Sequence, residues 1–367
     1  MKLRNILTLV VALFIFSCDN ELSINSEWKD ITVVYGLLDP TLDTNFIRIE
    51  RGYLGSEPAR NSYEKPDSLY YDENEITVTL NWYNIDDNNN RGELVSSREL
   101  KPDYTIRSLN DDGPFTTEGY RVYPVISPDI PVSNEFEYEL IVDKANGSPQ
   151  VTATTRVLET FEINIPRDLV DGINFRGTLG WENSEGRIFL YQPRYYFYYK
   201  EFNLTTKESE IKEILYKYQD VPRKNTDIDF ELALGTDAFY SYIANRIDTD
   251  PDVLRFFESM RFEVWAADEN LTTYMNLKKP SSGINQNRPD FTNVENGAGI
   301  FASRLKVSIE GAKLDDRGTP SFLDNLYQKQ SICAKRFAFI EAATADTCIC
   351  DDLPGTGGNG RQCPYDN

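Results

Sequence analysis

Five cysteines and not one histidine set the chemistry open to this chain of 367 residues. Without imidazole there is no Ser-His-Asp or Cys-His nucleophile, no His-ligated zinc and no histidine proton shuttle. Carboxylates remain, and two of them flanking a glycosidic bond can hydrolyse it unaided. With 59 acidic residues, however, any pair can be proposed and the sequence singles out none. The thiols are more specific. Cys18 stands alone near the start, while Cys333, Cys348, Cys350 and Cys363 crowd the far end.

What precedes Cys18 has three parts in order. Lys2 and Arg4 give a positive start, and Ile6 to Phe16 is an apolar run broken only by Thr8. The run is shorter than the roughly 20 residues a spanning helix needs, but has the length of a signal-peptide core. Ile15-Phe16-Ser17-Cys18 then resembles the bacterial lipobox, in which the thiol takes a diacylglycerol before the signal is removed. Residues 1–17 are therefore expected to be a lipoprotein signal peptide, Cys18 the lipidated first residue of the mature chain, and residues 18–29 a tether. Each buried methylene of the acyl chains contributes about 0.8 kcal/mol, so several chains together hold firmly. Asp19 and Glu21 resemble the export signal of Bacteroidota surface lipoproteins. The expected place is the outer membrane, lipid-anchored and facing the cell surface, with its periplasmic face as the alternative.

An exported chain meets oxidising conditions, and four clustered cysteines then read as two disulfides. Four thiols allow three pairings. A four-thiolate zinc site is the rival reading, but Cys348-Ile349-Cys350 is one residue short of the usual CxxC knuckle,. No cofactor is expected. The formal charge of −21 becomes −23 once Lys2 and Arg4 are removed, which argues against nucleic acid as a partner,.

The elements that would carry these groups are mostly strands. Tyr and Phe number 22 and 20 against 3 Met, and aromatic enrichment favours strands,. Ile31–Tyr35, Phe46–Glu50 and Glu75–Tyr83 alternate as half-buried strands do, the last with a partner from about Gly92. The turn between them, Asp86 to Asn90, superficially suggests a calcium loop, but Asp86 has neither glycine at the sixth position nor an acid at the twelfth,. Phe136–Val142 and Gln150–Val157 pair across Asn146-Gly147. The expected fold is mainly β: an Ig-like N-terminal β-sandwich over residues 28–160, then a second β-rich domain over 161–330 with short helical inserts. Residues 331–367 would form a disulfide-bounded C-terminal segment.

In the second domain, Gly186 to Lys200 reads as a long aromatic strand, with Pro193 suggesting an edge or a bulge. Its stripe either packs on a neighbouring sheet or stacks on carbohydrate or peptide. Thr236 to Ile247 predicts a helix with Phe239, Ile243 and Ile247 on one face. Pro251 behind Asp250 predicts a second helix, using Val253, Phe256, Phe257 and Met260. Phe262 to Ala266 returns to strand, and Thr319-Pro320 opens a helix through Leu323, Leu326 and Tyr327. The glycine-rich tail, Gly355 to Gly360, mimics a dinucleotide fingerprint but lacks its strand-to-helix setting.

Asp290-Phe291-Thr292-Asn293-Val294-Glu295-Asn296-Gly297-Ala298-Gly299-Ile300-Phe301 resembles the late turn of a large family of Bacteroidota outer-membrane lipoproteins of unknown function. The strand Ile31 to Leu38, the Tyr138-Glu139-Leu140 and Ala153-Thr154-Thr155 pair and the C-terminal cysteines agree with it. The chain departs from that family in Asn296-Gly297, where Gly-Gly is common, and in its Cys-x-Cys spacing, as a divergent member would. The resemblance implies an accessory protein, often encoded beside TonB-dependent transporters, with no reaction of its own. The expected function is thus non-enzymatic: a binding or accessory subunit of an outer-membrane transporter or of an assembly or secretion complex. Its partners would be membrane lipid, through acylated Cys18, and an outer-membrane barrel protein. The alternative is a carboxylate-dependent glycan-active enzyme.

After Asp351 the tail is rich in turn formers and poor in apolar side chains. Each cross-link would contribute about 2–4 kcal/mol towards ordering it. A Cys348–Cys350 bridge would close a tiny ring, so one of the two is expected to join Cys333 and the other Cys363. Non-reducing peptide mapping of protein from the native envelope reads this directly. Four free thiols, or a Cys348–Cys350 bridge, would refute it.

Overall fold

The computed structural model describes residues 31–52, 69–105, 120–165, 168–169, 172–175, 177–183, 186–224, 229–234, 237–279, 291–314, 335 and 337–338. The signal peptide, Cys18, the tether, the helix expected from Thr319 and all four late cysteines lie outside the described residues. The fold is mainly β, as expected. Its first half supplies β1 (Thr32–Leu38), β2 (Thr44–Arg51), β3 (Ile76–Ile85), β4 (Arg91–Leu100), β5 (Asp103–Thr105), β6 (Tyr120–Ile126), β7 (Phe136–Lys144) and β8 (Val151–Arg156). After these come β9 (Glu162–Ile165), β10 (Asp168–Leu169), β11 (Gly172–Phe175), β12 (Thr178–Glu182), β13 (Leu190–Asn203), β14 (Ser209–Lys217), β15 (Val221–Pro222) and β16 (Asp229–Ala233). The last are β17 (Val253–Ala267), β18 (Val294–Glu295), β19 (Ala298–Leu314) and β20 (Phe337–Ala338), and the helices among the described residues are α1 (Asp237–Ala244) and α2 (Glu269–Lys278).

One large sheet organises everything. Its strands run β14-β13-β17-β19-β1-β2-β6-β5, so the first strand sits in its middle beside one of the last. A five-stranded sheet, β18-β8-β7-β3-β4, faces the β1/β2/β6 end and closes a sandwich. Val34, Ile47 and Val125 from one sheet meet Leu80, Leu140 and Ala153 from the other. Val294 and Phe301 complete this core from far along the chain. A three-stranded sheet, β16-β12-β9, and helix α1 cover the β13/β17 end. There Trp181 stacks on Phe230 at 5.3 Å, and Tyr195, Phe197, Phe262 and Phe239 fill the space between. Both cores lie on the same face of the large sheet, because Gly36, paired with Phe301, and Val264, paired with Val307, point the same way as their partners,.

Hairpins β3–β4 and β7–β8 form where alternation and turn residues indicated. Asp86 accepts from the Asn88 and Asn90 amides and Asn89 takes a φ of 63°, so the Asp86–Asn90 segment is a hairpin turn,. Helix α1 also forms, with Phe239, Ile243 and, just beyond it, Ile247 buried.

Two expectations are corrected. Residues 251–260 do not make a helix: Val253 onwards is β17. Val253, Leu254, Arg255 and Phe256 are buried in succession, because this interior strand is covered on both faces,. Apolar residues at nearly every position fit a helical spacing by accident, and Asp250-Pro251 imitates a cap. Pro193 does not mark an edge either. β13 lies between β17 and the β14/β15 pair, and Pro193 sits where β15 has ended and β14 has not begun. Its carbonyl accepts from the Tyr218 amide, so its ring nitrogen faces that same gap, where no ladder bond is lost,.

The segment from Phe291 to Phe301 proves to be a structural clasp. The Asn293 side chain donates to the Phe301 carbonyl at 2.6 Å and accepts from the Phe301 amide at 3.0 Å. The Asn296 amide group donates to the Gln150 carbonyl, and β18 pairs with β8. The chain then turns straight into β19 against β1, leaving no room for side chains at the crossing. A Cβ at Gly299 would lie 2.0 Å from the Val34 carbonyl oxygen, and φ there is 103°. At Gly297 the constraint is space alone, 2.7 Å from the Thr32 oxygen.

Where β19 passes from one core to the other, polar groups knit the layers. Ser303 donates its hydroxyl to the Leu38 carbonyl and accepts from the Leu158 amide. Its own amide donates to Asp268, which also caps α2 by accepting from the Leu271 amide at 2.8 Å. Burial pushes the Asp268 carboxyl up to about 6, against the pull of these donors and Thr155,.

Gly299→Ala should therefore cost about 3 kcal/mol or more, by clash with backbone as well as strain. Gly147→Ala, with φ 75° and open space around it, should cost only about 1–2 kcal/mol. Urea unfolding of the two variants side by side tests the difference. Equal losses would mean that the β1–β19 crossing is not the constraint.

Candidate functional site

The aromatic strand β13 divides its side chains by parity. Tyr191, Tyr195, Phe197 and Tyr199 point into the core, where burial drives the Tyr195 phenol far above its ordinary range. Gln192, Arg194, Tyr196 and Tyr198 point the other way, onto the face of the large sheet opposite both cores. Register places Gln192 beside Trp265 and Lys306, Arg194 beside Lys217 and Glu263, and Tyr196 beside Arg261.

On that face cations and rings interleave. The Arg194 guanidinium lies 4.5 Å from the centre of the Trp265 ring, and Arg304 and Lys306 lie 5.2 and 5.8 Å from it. Arg261 lies 3.8 Å from the Tyr196 ring and 5.8 Å from that of Tyr198. Such contacts contribute roughly 0.5–2 kcal/mol each, more as water is excluded.

Glu263 is the hub. Only 6% of its side chain is exposed. It accepts from the Tyr196 hydroxyl at 3.0 Å and from the Trp265 indole at 2.9 Å, and pairs with Arg261 at 3.6 Å and Lys306 at 3.8 Å. Burial and then the bond to Glu263 raise the Tyr196 phenol. Burial and a bond to Glu213 push Tyr198 up to about 12. At neutral pH both phenols stay protonated. Helix α2 walls the face on its β19 side, and its Tyr274 bonds Tyr35 of β1. Beyond it, towards β2 and β6, Phe46 and Ile126 are exposed. The arrangement offers positive charge beside aromatic surface, suited to holding an anionic or π-rich partner.

A cleft of about 750 Å³ opens beside β14, lined among others by Glu201, Lys212, Asp248 and Arg255. Burial raises the Glu201 carboxyl, but bonds from Lys212 and Arg255, each 2.7 Å, outweigh it and hold the group below its usual range. Carboxylate-based glycoside hydrolysis needs an acid raised towards neutrality, and Glu201 is tuned the opposite way. Asp268 is raised, in a second cleft of about 340 Å³, yet its oxygens already serve the Leu271 and Ser303 amides.

The cysteines singled out by sequence lie outside the described residues. The face formed by Arg194, Arg261, Glu263, Trp265, Arg304 and Lys306 was not singled out. Its one visible signal was the aromatic stripe of β13, of which the structure assigns half to the core and half to this face. No family model and no curated protein matches the chain. Among solved structures, it is similar to the C-terminal globular domain of oligosaccharyltransferase from Pyrococcus abyssi, at 10% identity and TM-score 0.20, over 64% of this chain and 46% of that one. The chain thus spans under half of that structure, and so low a score carries no argument.

Replacing Glu263 with Gln should destabilise the protein by about 1–3 kcal/mol, since among the described residues it leaves Lys306 without a carboxylate and Arg261 with Glu213 alone, at 3.7 Å,. Glu213→Gln, at the exposed rim, should stay within about 0.5 kcal/mol. Denaturant midpoints of the two variants decide this, and a neutral Glu263→Gln would remove the hub from the account.

Proposed function

We propose that this chain is a lipid-anchored, non-enzymatic accessory protein of the outer membrane, facing the cell surface, that binds a barrel protein there. The observation that carries the reading is Cys18, set behind Lys2, Arg4 and the apolar run to Phe16, and followed by Asp19 and Glu21. The sequence resemblance to transporter-associated lipoproteins points the same way. The cation–aromatic face adds a place to bind: four cations within 5.8 Å of ring centres, on a sheet face turned away from both cores. Such a surface suits an acidic, aromatic loop of a partner, because charge steers the encounter and guanidinium groups already beside rings need little ordering on contact.

Cys18→Ser should release the protein from the membrane pellet. The acylated protein should capture a barrel protein in stoichiometric amount from detergent-solubilised outer membranes, and Arg194→Glu with Lys306→Glu should abolish capture without releasing the anchor. A Cys18→Ser protein that stays firmly in the pellet would overturn the lipid anchor. Turnover of a defined glycan by the purified chain would overturn the non-enzymatic reading.

A further inference from the structure

Strand β4 is the outermost strand of the five-stranded sheet, and no other described strand pairs with its free side. Nine of its ten residues are exposed, so neither face of it is covered. Leu94 and Val95, at 52% and 44% exposure, are among the most exposed large apolar side chains. A long uncovered edge is a template for another strand. The hairpin is also held rigid from behind: Arg91 pairs with Glu137 and Glu139 of β7, and Arg156 of β8 binds Glu137 and the Asn89 carbonyl in the turn. The edge is thus preformed.

We infer that β4 pairs antiparallel with β4 of a second copy of this chain, about a two-fold axis between Val95 and Ser96, joining two five-stranded sheets into one. The register follows from an irregularity. The β3–β4 ladder sets Trp82 opposite Ser96 and Tyr83 opposite Leu94, stepping over Val95, and steps over one further residue before Arg91 meets Ile85. In an unbroken strand Leu94 and Ser97, three apart, would point to opposite faces. The bulge at Val95 brings them to the same face, that of Tyr83 and Asn81,. A two-fold between Val95 and Ser96 then sets Glu93 of each copy against Arg98 of the other, and Leu94 against Ser97. Both charges are exposed, and neither makes an ion pair with another described residue. A two-fold on Val95 itself would instead oppose Arg91 to Glu99. That register sets Leu94 against Ser96, which face opposite ways, and calls on an arginine already bound to two carboxylates.

The test is charge exchange, read by sedimentation of the full acylated chain with detergent micelles in excess. The wild type should show a concentration-dependent dimer that weakens with salt. Glu93→Arg alone, or Arg98→Glu alone, should weaken it about tenfold or more, because each places like charges opposite at both symmetric positions. The double exchange Glu93→Arg with Arg98→Glu should restore it, and an equimolar mixture of the two single variants should form the heterodimer. Both sites are on the surface, so unchanged thermal unfolding serves as the folding control. A wild type monomeric at ~100 μM, or a dimer indifferent to the single reversals, would overturn the inference. So would single variants that are not rescued by each other.

Discussion

A buried carboxylate and a buried hydroxyl at the centre of a large sheet must be fully satisfied, or each costs several kcal/mol. Asp268 and Ser303 meet that demand by binding four backbone groups and one side-chain hydroxyl at once. The amides of Ser303, Leu271 and Leu158 and the carbonyl of Leu38 end on one or other of them, and Thr155 reaches Asp268 at 3.4 Å. These groups belong to β19, α2, the β8–β9 connection, β1 and β8. The node lies where β19 leaves the sandwich core, with Phe301, and enters the aromatic core, with Leu305. Hydrophobic burial on either side does not by itself set the alignment of the two cores. Directional bonds at the crossing do.

That alignment also fixes what the outer face can present. Because α2 is capped by Asp268, its position is tied to the same node, and it stands between the exposed apolar end near Phe46 and Ile126 and the cation–aromatic end around Trp265. The face is stiff for a second reason. Glu263 lies on the same continuous strand as Asp268's neighbours, so the carboxylate that orders the cations is held by the ladder that aligns the cores.

The sequence was most legible where one local rule acted alone. The sequences of β3 and β7 alternate, and the turns after them, Asp86 to Asn90 and Asn146-Gly147, are rich in turn formers, so pairing and boundaries could be read within a residue or two. Legibility failed where burial came from both sides. Val253 to Phe256 carry no alternation to read, and periodicity cannot tell such a strand from a helix. Helix α2 went unread for the opposite reason: none of its residues is fully buried, so it has no apolar stripe, and only the Asp268 cap announces it. The outer face was invisible in another sense. Arg194, Trp265 and Lys306 come from three strands far apart in the chain, and only the register brings them together. The clasp at Asn293 to Phe301 was recognisable as a pattern, but its reason, a backbone crossing too tight for a Cβ, belongs to β1.

The parallel pairing of β1 with β19 joins residues 33–38 to residues 298–303. A growing chain emerges from its N-terminus, so β1 appears early and its neighbour arrives after most of the polypeptide has followed. Throughout that interval the sandwich lacks Val294 and Phe301, and β1 has β2 on one side and nothing on the other. Contacts so distant in sequence form late and slowly, because a long loop must close before any of them forms. The half-built domain would display an open, apolar, aggregation-prone ladder while it waits. Biogenesis of this protein is therefore a problem of timing, in which the first strand waits with one side unpaired until nearly the last one has been delivered,.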